Sequence, residues 1–286
     1  MCYASILVLN LLIIFTVGSR IERVSDDEPR IHFGDEPWEP YPSLVSLGYV
    51  EPNGRAGVFC GGSLITDQHI LTAAHCYSTK YSTFRAVLGS RYKYGPLDAG
   101  GEVIDFGLNA WTVNPGYNAS NFHTHDTAVI TLPRRVRLSS SIQTIPLARY
   151  VYSDNVRVVG WGRMDCQGNS PDYYLYAGGW IVDDNSCRRA WYDATGGSIP
   201  IYNDQLCAQF RNRRGFLSGS DGGDSGGPLY ATAYGRDVQI GTVSFSTKLN
   251  VNTTNQCTNA QVPMVYNKMA AEERFIRWVA PNAQFF

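Results

Sequence analysis

The sequence is short of charged side chains and has no excess of either sign. Charged residues make up 17% of the 286 positions and the net charge is −1, so nothing favours nucleic acid or an acidic membrane as a partner. The sequence also lacks internal repeats and the paired CxxC spacing typical of zinc sites, and we expect no metal or other cofactor. With 44% hydrophobic residues, the composition is instead typical of a folded globular protein.

No apolar run is long enough to cross a bilayer. The stretch from Ile6 to Val17 is almost wholly apolar but too short to span, and Val17-Gly18-Ser19 supplies the small residues that signal peptidase prefers. We therefore predict a signal peptide over residues 1–19, an uncleaved anchor being the less favoured alternative. The mature chain would be secreted and extracellular, without a membrane attachment.

The sequence also has no long helical pattern before its C-terminus. Short strand patterns such as His69-Ile70-Leu71-Thr72 alternate with turn signals such as Asn53-Gly54, which predicts an all-β protein built from barrels. One helix is predicted at the end, with Phe275, Ile276 and Val279 on its apolar stripe. The charged residues placed outside that stripe are Glu272, Glu273, Arg274 and Arg277.

Three separated motifs together indicate nucleophilic catalysis. Ser225 lies among small residues in Gly-Asp-Ser-Gly-Gly-Pro, His75 follows Leu-Thr-Ala-Ala, and Asp126 opens a β-branched run. A serine alcohol needs a base to take its proton and an acid to orient that base. Each residue alone has an ordinary interpretation as a turn serine, a packed histidine or a strand cap, whereas His123 and His125 are interpreted as loop histidines. A lipase-like hydrolase is disfavoured because its acid would follow the serine.

With these motifs in this order, the sequence resembles the chymotrypsin/trypsin family of secreted serine endopeptidases from Ile31 to the C-terminal helix. The resemblance implies two six-stranded antiparallel Greek-key barrels with a C-terminal helix, in a protease domain over residues 31–286. His75 and Asp126 would lie on the first barrel and Ser225 on the second, with the amides of Gly223 and Ser225 as the oxyanion hole. A protein or peptide would be the substrate, protein inhibitors are candidate partners, and we expect a monomer.

The family resemblance also implies a zymogen. Residues 20–30 are polar and charged and would form an activation propeptide, cut after Arg30 by an activating protease. The freed amine of Ile31 would then fold inward and pair with Asp224.

Six cysteines remain once Cys2 leaves with the signal peptide, as expected in an oxidising compartment. The resemblance implies a Cys60–Cys76 bridge and a Cys187–Cys207 bridge, and we propose that the remaining Cys166 and Cys257 pair with each other. A further family bridge is missing, because Val156 and Ala231 occupy its positions. Asn118 and Asn252 head glycosylation sequons.

The predicted specificity pocket departs from the trypsin pattern. Gly219 falls where trypsin-like members carry an acid, while Phe245, Ser246 and Met264 replace residues that the family commonly has as Trp, Gly and Gly. We predict small or medium apolar specificity, unless Asp221 turns inward and restores a preference for basic residues. The alternative is a catalytically weak homologue that binds a partner protein. The predicted substrate-binding positions are Gly219, Ser220, Ser244, Phe245, Ser246 and Met264.

Overall fold

The computed structural model describes residues 34–95, 100–248 and 258–286. Strands dominate this part of the chain and lie in two antiparallel sheets. The first sheet contains β1 (Leu44–Val50), β2 (Ala56–Thr66), β3 (His69–Thr72), β4 (Thr83–Leu88), β5 (Glu102–Gly107), β6 (Trp111–Val113) and β7 (Ala128–Thr131). The second contains β8 (Asn155–Gly160), β9 (Leu175–Val182), β10 (Gln205–Arg211), β11 (Leu217–Ser218), β12 (Pro228–Ala233), β13 (Arg236–Phe245) and β14 (Met264–Lys268).

The second sheet closes on itself and the first stays partly open. Strands run in the order β5-β4-β1-β2-β3-β7-β6 in the first sheet and β11-β10-β14-β13-β12-β8-β9 in the second, where a β9–β10 pairing closes a six-stranded barrel. Each sheet thus has one strand more than the six predicted. The extra strands are short ones at an edge, such as the two-residue β11. The prediction of an all-β fold with two sheets and a C-terminal helix is confirmed.

A helix that the sequence analysis did not predict lies between β9 and β10. Helix α1 (Asp184–Thr195) begins after Asp183, whose carboxylate accepts hydrogen bonds from two amides of the first turn, and ends at the left-handed Gly196. Only Cys187 and Trp191 are buried, so the apolar stripe is one residue wide and gives a weak periodic signal.

The C-terminal helix α2 (Met269–Val279) is present as predicted, with one charged residue on the unexpected face. Phe275 and Ile276 are buried, but so is Glu272, which is only 1% exposed. Position 272 precedes these two residues by three and four, which places it on their face of the helix. Its burial is tolerated because His125 and Asn114 hydrogen bond to its carboxylate.

Four apolar clusters hold the described residues together, the smallest of which packs Trp191 of α1 against Cys207 of β10 and Val265 of β14. One fills the first barrel, a second fills the second barrel, and a third lies between the barrels and beneath α2. The third cluster joins Leu71 and Val129 of the first sheet to Val159, Tyr230 and Ile276. The barrels therefore share one buried, largely apolar interface, and residues at its rim can reach each other across the boundary.

Two disulfides match the pairs that the family resemblance implies, Cys60–Cys76 and Cys187–Cys207. Cys166 is also disulfide-bonded, while Cys257 lies outside the described residues, so their pairing stays a prediction. Val156 and Ala231 face each other in the β8–β12 register, with apolar side chains where the family has a bridge. None of the described helices is long and apolar enough to cross a membrane.

Candidate active site

His75 stands on a single 3₁₀ turn (Ala74–Cys76) that follows β3. The Cys60–Cys76 disulfide fastens this turn to β2. The side chain of His75 is 22% exposed, so the ring is anchored on one side and open to the cleft on the other.

Asp126 lies two residues before β7, the neighbour of β3 in the first sheet. Its carboxylate accepts a 2.7 Å bond from His75 Nδ1 and a 2.9 Å bond from the backbone amide of His75. Ser244 Oγ donates a third bond of 2.5 Å. The carboxylate is thus fixed by one residue from the sequence neighbourhood of β3 and one from β13.

The hydrogen bonds of Asp126 decide its ionisation. The side chain is fully buried, and burial alone would raise the pKa of the carboxyl. The charge and hydrogen bonds of His75, with the bond from Ser244, outweigh that effect and leave the pKa of Asp126 below its ordinary value. Asp126 is therefore an anion that holds a proton donor, His75 Nδ1, against it.

Ser225 lies in the tight turn before β12. Its carbonyl oxygen accepts a 2.7 Å bond from Gly61 N and lies 3.7 Å from Cys76 Sγ, which places its backbone beside the turn that carries His75. The next residue, Gly226, has φ of 77°, and a Cβ there would collide with Thr72 Oγ1 and Gly61 O. Glycine at position 226 is what lets the serine turn approach the first barrel.

The predicted catalytic residues are only partly joined by hydrogen bonds among the described residues. His75 and Asp126 are hydrogen bonded, but among the described residues no hydrogen bond joins Ser225 Oγ to His75. The amides of Gly223 and Ser225 have no acceptor within that part of the chain, and Gly223 has φ of 106°.

Asp224 is a buried carboxyl whose hydrogen-bond partners among the described residues are backbone amides. Its oxygens accept bonds from Gly162 N at 2.7 Å and Asp221 N at 3.0 Å. Burial raises its pKa to about 7. The proposed partner, the amine of Ile31, lies outside the described residues, as do Arg30 and the whole of residues 1–33.

The cleft beside Ser225 is small and shallow. It has a volume of about 200 Å³ and is lined in part by Ser220, Phe245 and Ser246. Below it, the amide and hydroxyl of Ser220 donate to Met264 Sδ at 3.1 and 3.4 Å. Met264 is 2% exposed and packs directly over Gly219, where an added Cβ would overlap its terminal methyl. Met264 thus occupies the space above the expected pocket base.

Asp221 does not leave a free negative charge in the cleft. Its Oδ1 lies 3.1 Å from Lys248 Nζ and accepts 2.6 Å from Gly222 N, while Oδ2 accepts 2.9 Å from Thr258 N. Burial works to raise the pKa of Asp221, but Lys248 and these amides outweigh it and lower the pKa. The carboxylate is therefore compensated from within the protein.

Sequence reasoning missed two residues beside His75 and Asp126. Ser244 was assigned to substrate binding, yet its hydroxyl donates to Asp126. His123 lies in a loop, as predicted, but its ring also lies 5.5 Å from that of His75 and its Nδ1 is 3.0 Å from Tyr117 OH. Burial lowers the pKa of His123, with a smaller contribution from His75. Ser244 is far from Asp126 in the chain, and no local pattern could have joined them.

Groups with metal-ligand chemistry occur here but are bonded to each other. His75, His123 and Asp126 offer ligand atoms within 4.8 Å of one another, as do His125, Asp204 and Glu272. In each group the carboxylates already accept bonds from the histidines. Cys60 and Cys76 are in a disulfide. These donors are therefore accounted for by hydrogen bonds and a covalent bridge.

The two sequons differ in what can be described. Asn118 is exposed, and its Oδ1 accepts bonds from Ser120 N and Asn121 N. Its Nδ2, the atom that a glycan would use, takes no part in these bonds. Asn252 lies outside the described residues. Glycosylation at both positions stays a prediction.

Comparison with known proteins identifies the family of the chain. A family model described as Trypsin matches residues 37–279. The chain is 31% identical to CLIP domain-containing serine protease B4 of Anopheles gambiae, over 85% of this chain and 67% of the relative. It is 29% identical to chymotrypsin-like elastase family member 1 of Felis catus, over 84% of each chain, and 31% identical to proproteinase E of Bos taurus, over 82% of this chain and 87% of the relative. The chain belongs to the trypsin family of serine proteases.

Proposed function

We propose that the chain is a secreted serine endopeptidase that cleaves peptide bonds through an acyl-enzyme, with His75, Asp126 and Ser225 as its catalytic residues. The observation that carries the proposal is the hydrogen bond of 2.7 Å between His75 Nδ1 and a buried, ionised Asp126, next to the Ser225 turn. That bond fixes the tautomer that leaves His75 Nε2 free to accept a proton.

In the proposed reaction, His75 Nε2 takes the proton of Ser225 as the hydroxyl oxygen attacks the scissile carbonyl carbon. The resulting oxyanion is held by the amides of Gly223 and Ser225. When the tetrahedral intermediate collapses, the C–N bond breaks and His75 gives its proton to the leaving amine. Water then attacks the ester, His75 again takes and returns the proton, and Ser225 is released with the new carboxylate. The His75–Ser225 hydrogen bond would close on activation or substrate binding.

The proposal includes synthesis as a zymogen. Residues 1–19 would be removed as a signal peptide and residues 20–30 as a propeptide cut after Arg30. The ammonium of Ile31 would then pair with Asp224. This is supported by the burial of Asp224, whose charge is opposed by desolvation and whose described partners are all backbone amides. A buried carboxylate is stabilised most by a cation that also donates hydrogen bonds to it.

We propose that the specificity pocket accepts small or medium apolar side chains. Met264 fills the space over Gly219, and Asp221 is neutralised by Lys248. A long basic side chain would find neither depth nor an unpaired negative charge. The same filling supports a second candidate function, in which the chain is a weakly catalytic homologue that binds a partner protein through this cleft.

Active-site labelling distinguishes the two candidates. The secreted protein would be cleaved after Arg30 with a protease of basic specificity and treated with a fluorophosphonate probe, with Ser225→Ala as the control. Rapid labelling of the cleaved wild type, and of neither the uncleaved chain nor the control, is expected. Absence of labelling in a verified cleaved protein would favour the binding role.

Cleavage of a peptide library by the same material tests specificity. Hydrolysis after Ala, Val, Ser or Thr is expected. Strong cleavage after Arg or Lys would overturn the pocket argument while leaving the proposed peptidase intact. The same preparations would report the mass of any glycan at Asn118 or Asn252 and the monomeric state that we expect.

A further inference from the structure

The segment that delivers Asp126 has an unfavourable backbone. Phe122, His123 and His125 have φ values of 48°, 57° and 52°. Residues other than glycine adopt this left-handed region uncommonly, although histidine does so more often than a bulky residue such as Phe122, so three such residues within four positions require surrounding contacts to hold them. The position of Asp126 depends on this segment. If those contacts were lost, its backbone would move to a more favourable conformation.

The contacts that hold this segment come largely from the other barrel. Gln205 Nε2 donates to Phe122 O at 2.9 Å, and Asp204 Oδ2 accepts from His125 N at 2.7 Å. Tyr202 OH donates to Asn121 Oδ1 at 2.6 Å. The segment precedes β7 of the first sheet, yet it is tied to residues just before and at the start of β10 in the second.

Helix α2 contributes a further contact to this segment, from a buried acidic side chain. The Glu272 side chain is fully buried, and its Oε1 accepts a 2.8 Å bond from His125 Nδ1. Its Oε2 accepts a 2.6 Å bond from Asn114 Nδ2 at the end of β6. Burial raises the pKa of Glu272, an effect that His125 opposes. Burial lowers the pKa of His125, but Glu272 and then Asp204 outweigh it and raise that pKa. Each group thus favours the charged form of the other.

We propose that His125 and Glu272 are positioning residues that hold the backbone of Asp126 from across the barrel boundary, and so set the His75–Asp126 hydrogen bond. His125 is adjacent to Asp126 in the chain, and Thr127 on the other side accepts a bond from Asn267 of β14. The catalytic acid is therefore flanked on both sides by residues bonded to the second barrel. This inference rests on the proposed function but concerns a geometry that can be observed without turnover.

The test uses the substitution Glu272→Gln, which keeps the volume of the side chain but removes its charge. The matched control is Glu273→Gln, the next residue on α2, which pairs with Arg149 and Arg277 away from the site. The direct readout is the far-downfield proton resonance of His75 Nδ1–H, recorded on the uncleaved chain at neutral pH. We expect this resonance in the wild type and in the control, and its shift or loss by exchange broadening in Glu272→Gln.

The kinetic readout uses the cleaved protein. In Glu272→Gln we expect kcat to fall about tenfold with KM within about twofold, because a displaced base costs turnover and not binding. The control should keep both constants. A purely stabilising role for Glu272 would lower the unfolding midpoint and leave both the resonance and kcat unchanged, which would overturn the proposal.

A second variant covers the case in which Glu272→Gln fails to fold. His125→Asn removes the imidazole but suits the left-handed backbone, because asparagine adopts it readily. The same change in the Nδ1–H resonance is expected, and an unchanged resonance would also count against the proposal. If the wild type shows the resonance but no peptidase activity, the proposed function fails while the positioning role remains decidable.

Discussion

The two sides of the cleft differ in how well the charge of their buried acid is compensated by contacts among the described residues. On the His75–Asp126 side, the carboxylate has three described hydrogen-bond donors and a depressed pKa. On the Ser225 side, Asp224 has two backbone donors and a raised pKa, and Ser225 Oγ has no bond to His75 among the described residues. One side is organised by the fold itself. The other holds a buried acid whose charge the described contacts do not compensate, as a precursor awaiting an amine would.

The largest expected effect comes from breaking the organised side. Asp126→Asn keeps the shape but replaces an acceptor with an amide that favours the wrong tautomer of His75. We expect kcat of the cleaved protein to fall about 10⁴-fold, measured with a peptide ester or amide substrate.

The control for that substitution is Asp105→Asn. Asp105 is another acid of the first barrel, and it pairs with Arg85 on the exposed surface. Its loss should leave kcat within about twofold, since exposed pairs contribute about 0–1 kcal/mol to stability and lie outside the site. Equal effects of the two substitutions would show that Asp126 has no special role in catalysis on the His75–Asp126 side of the cleft.

The next effect concerns the pH dependence of the uncleaved chain. Asp224 has a pKa of about 7 in the folded chain against 3.8 as the ordinary value, so the folded state binds more protons between these two pH values. The free energy of unfolding should therefore decline as pH rises from about 4 to about 7, by roughly 4 kcal/mol from this group. Asp126, with a lowered pKa, acts in the opposite sense, and its contribution is lost only as the pH falls below about 4.

Asp224→Asn should remove that decline. Urea unfolding at pH 4.5, 6.0 and 7.5 would compare the two uncleaved proteins, and the variant should be the more stable one at pH 7.5. Parallel pH profiles for the wild type and the variant would show that the Asp224 charge is compensated after all. After cleavage at Arg30, the wild type should lose most of this pH dependence, because an ammonium then faces the carboxylate.

A smaller effect should follow from opening the pocket on the serine side. Met264→Gly removes the side chain that covers Gly219 and should raise kcat/KM for substrates with Leu or Phe relative to Ala by about 10–100-fold. The fold should lose about 2–5 kcal/mol, because a buried side chain is deleted. Relative kcat/KM values from competing peptides measure the switch, and an unchanged ratio would mean that Met264 does not limit the pocket.

Strand patterns, turn signals and the C-terminal apolar stripe predict the all-β class and the final helix, because these are local signals. The family resemblance implies the two barrels, the pairing of His75 with Asp126 and the bridges Cys60–Cys76 and Cys187–Cys207. The sequence could not predict the burial of Glu272. A helical stripe shows which face is apolar, but not that His125, far away in the chain, would satisfy an acid there. The bond from Ser244 to Asp126 could not be predicted for the same reason, since it joins segments that only the folded chain brings together. Met264, by contrast, is named in the sequence analysis as a residue that narrows the specificity pocket.

The smallest expected effect concerns Asp221, an acid on the Ser225 side of the cleft whose charge is compensated by Lys248 and two backbone amides. Lys248→Met removes the cation but leaves two backbone amides on the carboxylate, and the lysine side chain is 38% exposed. We expect a loss of about 1 kcal/mol at neutral pH and a higher pKa for Asp221, measured by denaturant unfolding between pH 4 and 7. Lys80→Met, a lysine that lies over the Tyr81 ring, serves as the control. Cleavage after Arg by the Lys248→Met protein would contradict this expectation. It would show that Lys248 alone keeps Asp221 from serving as the counter-charge of a basic substrate.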